Sequence, residues 1–265
     1  MIAHRFPETL LAELPGNGPW HIEPVGEQLA NRTWLVRSAE YQFFAKQFRY
    51  EEVFARDLQQ VLALEYYVAE QHLGPEIIYV DTQHKIVVYE HLPNSIHELV
   101  TEHETKLRIL ARAVAGIHRL APRVSQWSLR DRLYTYCDSL TETHPVIASN
   151  LRRDLKDYSH LLSHWEAGPQ VFCHLDLSMD HLFLNPHLRI IDWEYAGYSH
   201  PAFDVAMTVV MNDLFEDEIE VFLEEFNNHA PFQVTRDELP DWIRLVALVN
   251  RIWFKVQENL QKEAV

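Results

Sequence analysis

Val171-Phe-Cys-His-Leu-Asp-Leu-Ser-Met-Asp-His-Leu-Phe-Leu184, followed by Arg189-Ile-Ile-Asp-Trp-Glu-Tyr-Ala-Gly197, is the stretch on which the reading of this chain turns. Two apolar runs, Leu182-Phe183-Leu184 and Ile190-Ile191, flank Asn185-Pro186-His187, a turn-forming tripeptide. The pattern predicts a small hairpin with His174 and Asp176 just before its first strand and Asp192 just after its second. A hairpin holds its ends together, so Asp176 and Asp192 are expected to face one another across a small gap. Two carboxylates so placed suit phosphoryl transfer. One can take the proton of, or orient, an attacking hydroxyl, while the other holds a divalent ion on the phosphate oxygens.

Working outward, the N-terminal side reads as strands around one helix. Trp34-Leu35-Val36, Phe43–Phe48, Ile77–Val80 and Ile86–Tyr89 are strand-like runs rich in β-branched and aromatic residues, with Asp81–His84 turning between the last two. Between Glu52 and His72 the apolar residues Leu58, Val61, Leu62, Leu64 and Val68 recur at helical spacing, and Gly74-Pro75 ends the helix. After Pro93 the character changes. Leu107, Leu110, Val114 and Ile117 predict a helix ending near His118, and further helices are expected near 130–140 and 151–165. Beyond Pro201 lie two more, one with the stripe Phe215, Ile219, Phe222 and Phe226, and a last one containing Trp242, Leu245, Leu248, Ile252 and Trp253. Strands first and helices second predict an α+β protein of two lobes: residues 1–93, small and mainly β with one helix, and 94–265, larger and mainly α.

Composition narrows the function. The chain has 265 residues, 47% of them hydrophobic, enough for a buried core. Its net charge of −16 and the lack of a basic patch argue against a nucleic-acid partner and favour a cationic ligand. Cys137 and Cys173 do not suggest a disulfide framework, and the sixteen His include no HExxH or comparable ligand spacing. No apolar run approaches the ~18 residues of a membrane span, and no leader is recognisable, so a soluble cytoplasmic protein is expected.

His174-x-Asp176 and Ile190-Ile191-Asp192-Trp193-Glu194-Tyr195-Ala196 resemble the catalytic loop and metal motif of the choline kinase and aminoglycoside phosphotransferase superfamily. The resemblance implies a protein-kinase-like fold with ATP and Mg²⁺ bound between the lobes. It makes Asp176 the catalytic base, Asp192 the Mg²⁺ ligand and His174 the brace of the loop. Other matches follow in order along the chain. Phe44-Ala45-Lys46 is similar to the strand whose lysine holds the α/β-phosphates, with Glu65 as that lysine's helix partner. Val88–Pro93 is similar to the hinge that meets adenine, which brings in Glu90 and Leu92. Ala115–His118 resembles a leucine-histidine helix end, and Pro201–Ala206 the stretch whose Asp buttresses the loop.

The chain departs from the family pattern in two places. Where the family has a metal-holding asparagine, five residues after the catalytic Asp, this chain has His181. Imidazole nitrogen can ligate a divalent ion, but hard Mg²⁺ prefers oxygen. Asp180 is the alternative ligand, and a weakened second metal site or an inactive enzyme is a further reading. The phosphate-covering loop, Val25–Asn31, keeps Asn31 but only one glycine. The tripeptide Trp193-Glu194-Tyr195 is closer to the choline, ethanolamine and thiamine kinase branch than to antibiotic kinases. Glu194, Tyr195, Trp242 and Trp253 are therefore the expected pocket for a cationic alcohol. The expected activity is transfer of the γ-phosphate of ATP to that hydroxyl. An aminoglycoside kinase, an inactive nucleotide-binding protein on the same fold and a metal-dependent hydrolase are the alternatives.

Overall fold

In the central strands of the N-terminal sheet the side chains alternate between two apolar layers. The computed structural model describes residues 6–27, 31–49, 57–125 and 128–263. Its first elements are β1 (His21–Glu27), β2 (Asn31–Arg37), β3 (Gln42–Phe48), α1 (Leu58–Glu70), β4 (Ile77–Asp81) and β5 (Ile86–Glu90). The strands form an antiparallel sheet in the order β1-β2-β3-β5-β4. On one face Trp34, Val36, Phe43, Ala45, Ile86 and Val88 pack with Phe6, Leu10 and Leu14, from a short 3₁₀ segment and its lead-in. On the other, Phe48, Val87 and Tyr89 pack with Val61 of α1. Strand β1 escaped the sequence pattern. It lies at the sheet edge and carries Pro24, a residue tolerated there because an edge strand has amides that no ladder needs.

Helix α1 is capped by Asp57, whose side chain accepts from the Gln59 amide. The expected start at Glu52 lies outside the described residues. The helix ends as Gly74-Pro75 predicts. His72 takes a left-handed φ of 55°, and the amides of Leu73 and Gly74 both return to the Val68 carbonyl at 2.9 Å. A side chain at Gly74 would meet Val68 Cγ2 at 2.7 Å, so the turn needs glycine.

The rest of the chain runs α2 (Ile96–Leu99), α3 (His103–Ile117), α4 (Leu129–Ser139), α5 (Pro145–Asp157), α6 (Ser159–Ala167), β6 (Val171–Cys173), β7 (Leu182–Leu184), β8 (Leu188–Ile190), β9 (Gly197–Ser199), α7 (Pro201–Met211), α8 (Glu216–His229) and α9 (Leu239–Glu263). The chain forms two compact units, one of residues up to Pro93 together with Asn185–Ile190, the other Asn94–Leu184 with Ile191–Val265. This is the α+β, mainly-β-then-helical plan of a kinase-like fold. In the second unit α3 packs on α8, and α9 packs on α4, α5, α6 and α7.

Two expectations need correction. The single helix expected over 151–165 is two, α5 and α6, broken at Tyr158, which leaves helical geometry at φ −94°, ψ 9°. No Gly or Pro marks that break. Of the stripe expected in α8, Ile219, Phe222 and Phe226 are buried, but Phe215 is the N-cap residue and is 73% exposed. It lies one turn before the buried face begins. Among the described residues no helix is long and apolar enough to cross a membrane.

Candidate active site

The register of the first sheet collects the residues expected to hold nucleotide. Lys46 stands opposite Thr33 and Val87, and Asn31 opposite Phe48. Partners directly opposite share a face, so Asn31, Lys46, Phe48 and Val87 all point toward α1. Lys46 is 7% exposed and its ammonium lies 5.1 Å from the Phe48 ring centre. Glu65 belongs to the buried stripe of α1 with Val61, Leu64 and Val68, and it accepts a 2.7 Å hydrogen bond from the Tyr89 hydroxyl. A buried lysine and a buried glutamate thus occupy the same sheet–helix layer. Glu90 ends β5, where its carboxylate accepts from the Glu76 amide at 2.8 Å and from Arg189 at 3.3 Å. Leu92 is buried two residues on. Of the phosphate-covering loop, residues 28–30 lie outside the described residues.

The second unit builds the loop around Asp176. Strands β6 and β9 pair with Cys173 opposite Gly197, so the loop from His174 to Ala196 begins and ends at neighbouring positions. Inside it β7 and β8 form the expected two-stranded sheet, with the turn at 185–187. The closing ladder was not legible in the sequence, because three-residue strands carry too little alternation to read.

The loop is tied down at several points. Leu175 has a left-handed φ of 65°, a conformation that costs a residue with a Cβ about 1–2 kcal/mol. Asp204 holds it there, one carboxylate oxygen accepting from the Leu175 amide at 2.9 Å and the other from His118 Nε2 at 2.9 Å. Both Asp204 and His118 are buried. Cys173 Sγ lies 3.7 Å from the same imidazole nitrogen. The trio offers N, S and O atoms within 4.8 Å of one another, yet the carboxylate is already engaged by the loop amide and the imidazole. It acts as a brace. His174 Nε2 donates to the Ile191 carbonyl at 3.0 Å, which ties the start of the loop to the residue before Asp192. Burial, followed by the nearby His181 ring, lowers the His174 pKa to about 4, so it stays neutral. Asn212 was missed as a loop residue. Its carbonyl accepts from the Met179 amide at 2.8 Å and its amide donates to the Leu177 carbonyl at 2.9 Å.

His181 and Asp192 come together. His181 Nδ1 lies 2.8 Å from the Asp176 carbonyl, and His181 Nε2 lies 3.8 Å from an Asp192 carboxylate oxygen. Asp192 itself sits in the left-handed region at φ 71°. A divalent ion about 2.1 Å from each of two ligand atoms spans up to about 4.2 Å, so this pair fits one ion between them. Asp180, the alternative ligand, is exposed on the 3₁₀ turn before β7.

Beside the loop, wholly within the second unit, is a cavity of about 160 Å³ with Asp176 in its wall. Most of the wall is apolar or aromatic, with Tyr136 of α4, Met207 of α7, and Trp253 and Phe254 of α9. Of the four residues expected to build an acceptor pocket, Tyr195 and Trp253 line this cavity, and their rings meet edge to face at 6.5 Å. Glu194 and Trp242 do not line it. Glu194 is buried beside Trp193, and Trp242 is stacked on His200 at 4.5 Å in the core. Arg132 and Asn250 are the other strongly polar side chains of the wall.

Comparison with known proteins places this arrangement. The model of a phosphotransferase enzyme family matches residues 21–242. Human ethanolamine kinase 2 is 31% identical over 112 residues, 37% of this chain but only 28% of the human protein. Among solved structures, choline kinase LicA from Streptococcus pneumoniae superposes with a TM-score of 0.76 at 19% identity, covering 96% of this chain and 89% of that one. An aminoglycoside-3'-phosphotransferase of type VIII follows with a TM-score of 0.66 at 15% identity, covering 92% of this chain and 98% of that one. The structural likenesses show the fold, and the family match, which spans most of the chain, shows the lineage. This chain belongs to the phosphotransferase enzyme family.

Proposed function

We propose that this protein transfers the γ-phosphate of ATP to the hydroxyl of a small cationic alcohol of the choline, ethanolamine or thiamine type. The observation that carries the reading is the placement of Asp176. It lies in the wall of an aromatic cavity, five residues before the His181 that approaches Asp192. An acceptor in the cavity presents its hydroxyl to Asp176, which orients it and takes its proton as the new O–P bond forms. Asp192 and His181 are positioned to hold Mg²⁺. Bound there, the ion would supply positive charge to offset the negative charge that builds on the departing ADP. Lys46, with Glu65 beside it in the same layer, is suited to the α/β-phosphates, Asn31 to the loop that covers them, and Glu90 and Leu92 to adenine.

The wall also bears on the acceptor. Among the described residues Asp176 is the one acid of the wall and Arg132 offsets its charge, so a cation is attracted mainly by the ring faces of Tyr195 and Trp253. A compact cation bearing one hydroxyl suits such a wall. An aminoglycoside, with several ammonium groups, calls for more carboxylates than this wall supplies. Trp242 backs this wall through Phe203, whose ring it meets edge to face at 6.4 Å, and Glu194 immediately precedes the wall residue Tyr195. With ATP as co-substrate and both free cysteines buried, the cytoplasm is the setting this reading calls for.

ADP release is the test, measured with choline, ethanolamine, thiamine and an aminoglycoside, each with Mg²⁺ and Mn²⁺. The wild type is expected to turn over at least one small cationic alcohol. Asp176→Asn is expected to lose turnover by about 10²–10⁴-fold while still binding nucleotide. Absence of ADP release with every acceptor and either ion overturns the enzymatic reading in favour of a nucleotide-binding protein on a kinase fold.

A further inference from the structure

His181 stands five residues after Asp176, where the family pattern that the sequence resembles has an asparagine, and its surroundings determine which ring atom would meet an ion. A carbonyl oxygen can only accept, so the 2.8 Å contact with the Asp176 carbonyl requires the proton on Nδ1. The Ser178 amide is also directed at Nδ1, but from 3.5 Å, which is too long to compete for it. With Nδ1 protonated, the lone pair of the neutral ring is on Nε2, and Nε2 is the atom that lies 3.8 Å from Asp192. The backbone that carries the ring is tied down as well. The Ile191 amide donates to the His181 carbonyl at 3.1 Å, and His174 is tied to the Ile191 carbonyl, so Asp192 and His181 are fixed to the same short piece of backbone. Donation of one ring nitrogen to a backbone carbonyl, with the other left for the ion, is how proteins orient a metal-binding imidazole.

We infer that the ion at this site is bound through His181 Nε2 as well as an Asp192 oxygen, and that the site therefore prefers a transition-series ion such as Mn²⁺ to Mg²⁺. The inference rests on the phosphotransfer reading of the site and refines it. The argument is one of donor chemistry. Mg²⁺ takes oxygen ligands in a strict octahedron and keeps its waters, and a nitrogen donor gives it little. Transition-series ions bind a mixed nitrogen and oxygen site with affinity that rises from Mn²⁺ through Co²⁺, and imidazole suits Zn²⁺ well. His181 exposes only 19% of its side chain and Asp192 25%, so the pair is sheltered yet open to an entering ion. Replacing the imidazole by an amide oxygen should restore the hard-ion preference.

The decisive measurement is pulsed electron paramagnetic resonance on Mn²⁺ bound to uniformly ¹⁵N-labelled protein, with an unlabelled ATP analogue whose β,γ-bridge is a methylene. Nitrogen from the nucleotide is then ¹⁴N, and any ¹⁵N coupling of coordination strength comes from the protein. The wild type is expected to show such a coupling and His181→Asn to lose it. In competition titrations the preference for Mn²⁺ over Mg²⁺ is expected to fall by about tenfold or more in His181→Asn. A wild-type spectrum with Mn²⁺ bound and no ¹⁵N coupling overturns the inference, whatever the variant does. So does a coupling that persists in His181→Asn. ADP release tells the two readings apart. Turnover with an all-oxygen ion site defeats only the present inference, whereas a nitrogen-ligated ion with no turnover on any acceptor defeats only the phosphotransfer reading.

Discussion

Removing the carboxylate of Asp204 tests whether the loop that carries Asp176 is held from outside itself. Asp204 is 1% exposed and serves two buried donors, the Leu175 amide and His118 Nε2, each at 2.9 Å. Asp204→Ala strands both, at about 1–3 kcal/mol apiece. Some of that is returned, because Leu175 is then released from a left-handed conformation worth about 1–2 kcal/mol. The net expectation is a loss of about 3 kcal/mol in stability. Asp204→Asn keeps an oxygen for the Leu175 amide but lacks the charge, so it should fall between Ala and wild type. Urea unfolding followed by tryptophan fluorescence measures both. Turnover should suffer beyond what stability explains, since Leu175 immediately precedes Asp176, and a displacement of about 1 Å at a catalytic group costs on the order of 10²-fold. Nucleotide binding should be little changed. If Asp204→Ala unfolds within 0.5 kcal/mol of wild type, or keeps near-normal turnover, the brace is not what fixes the loop.

Two further outcomes follow from the geometry. His200 caps α7 by accepting from the Ala202 amide through Nδ1, and burial, with His164 nearby, lowers its pKa to about 4. The unfolded chain binds this proton near pH 6.5 and the folded chain only near pH 4, so its contribution is intact above 6.5 and is lost as pH falls through that window. His200→Asn, which keeps a capping oxygen and does not titrate, should lose less stability than wild type between pH 7 and pH 4.5, by about 2 kcal/mol; parallel curves for the two would refute this. His72→Gly should stabilise the protein by about 0.5–1 kcal/mol, because φ 55° at the end of α1 favours a residue without a Cβ. An unchanged or lowered melting temperature would count against that account.

The parts legible in the sequence were those with long or chemically distinctive signals. Strands β2, β3 and β5 announce themselves by aromatic and β-branched runs, and α1 by its spacing and the Gly74-Pro75 stop. The Asp176 and Asp192 segments stood out because polar residues interrupt apolar runs at fixed places. Short and compensated features were not legible. The β6–β9 ladder has three residues a side, and the break at Tyr158 has no Gly or Pro to mark it. Trp242 and Trp253 look alike in sequence, yet one is 2% exposed and stacked on His200 while the other lines the cavity. Eleven positions apart on one helix, they are about three turns on, and only the neighbouring helices decide what each ring meets. Asn212 could have been suspected, since a polar residue just after the buried run of α7 needs partners, but nothing local says that they lie in the 177–179 backbone.

Helix α7 carries two duties on one strip. Asp204 grips the loop, while Met207 and Met211, one and two turns later, form part of the cavity wall. Helices α4 and α9 supply Leu133, Tyr136, Trp253 and Phe254 to the same wall and hold none of the loop's anchoring groups described above. On the proposed function, substitutions on α4 and α9 can therefore reshape the chamber and leave the phosphate chemistry alone, whereas changes along α7 risk both. A lineage drifting toward a new alcohol would be expected to record the change first around residues 129–136 and 249–254, and an engineer seeking altered acceptor choice would begin there.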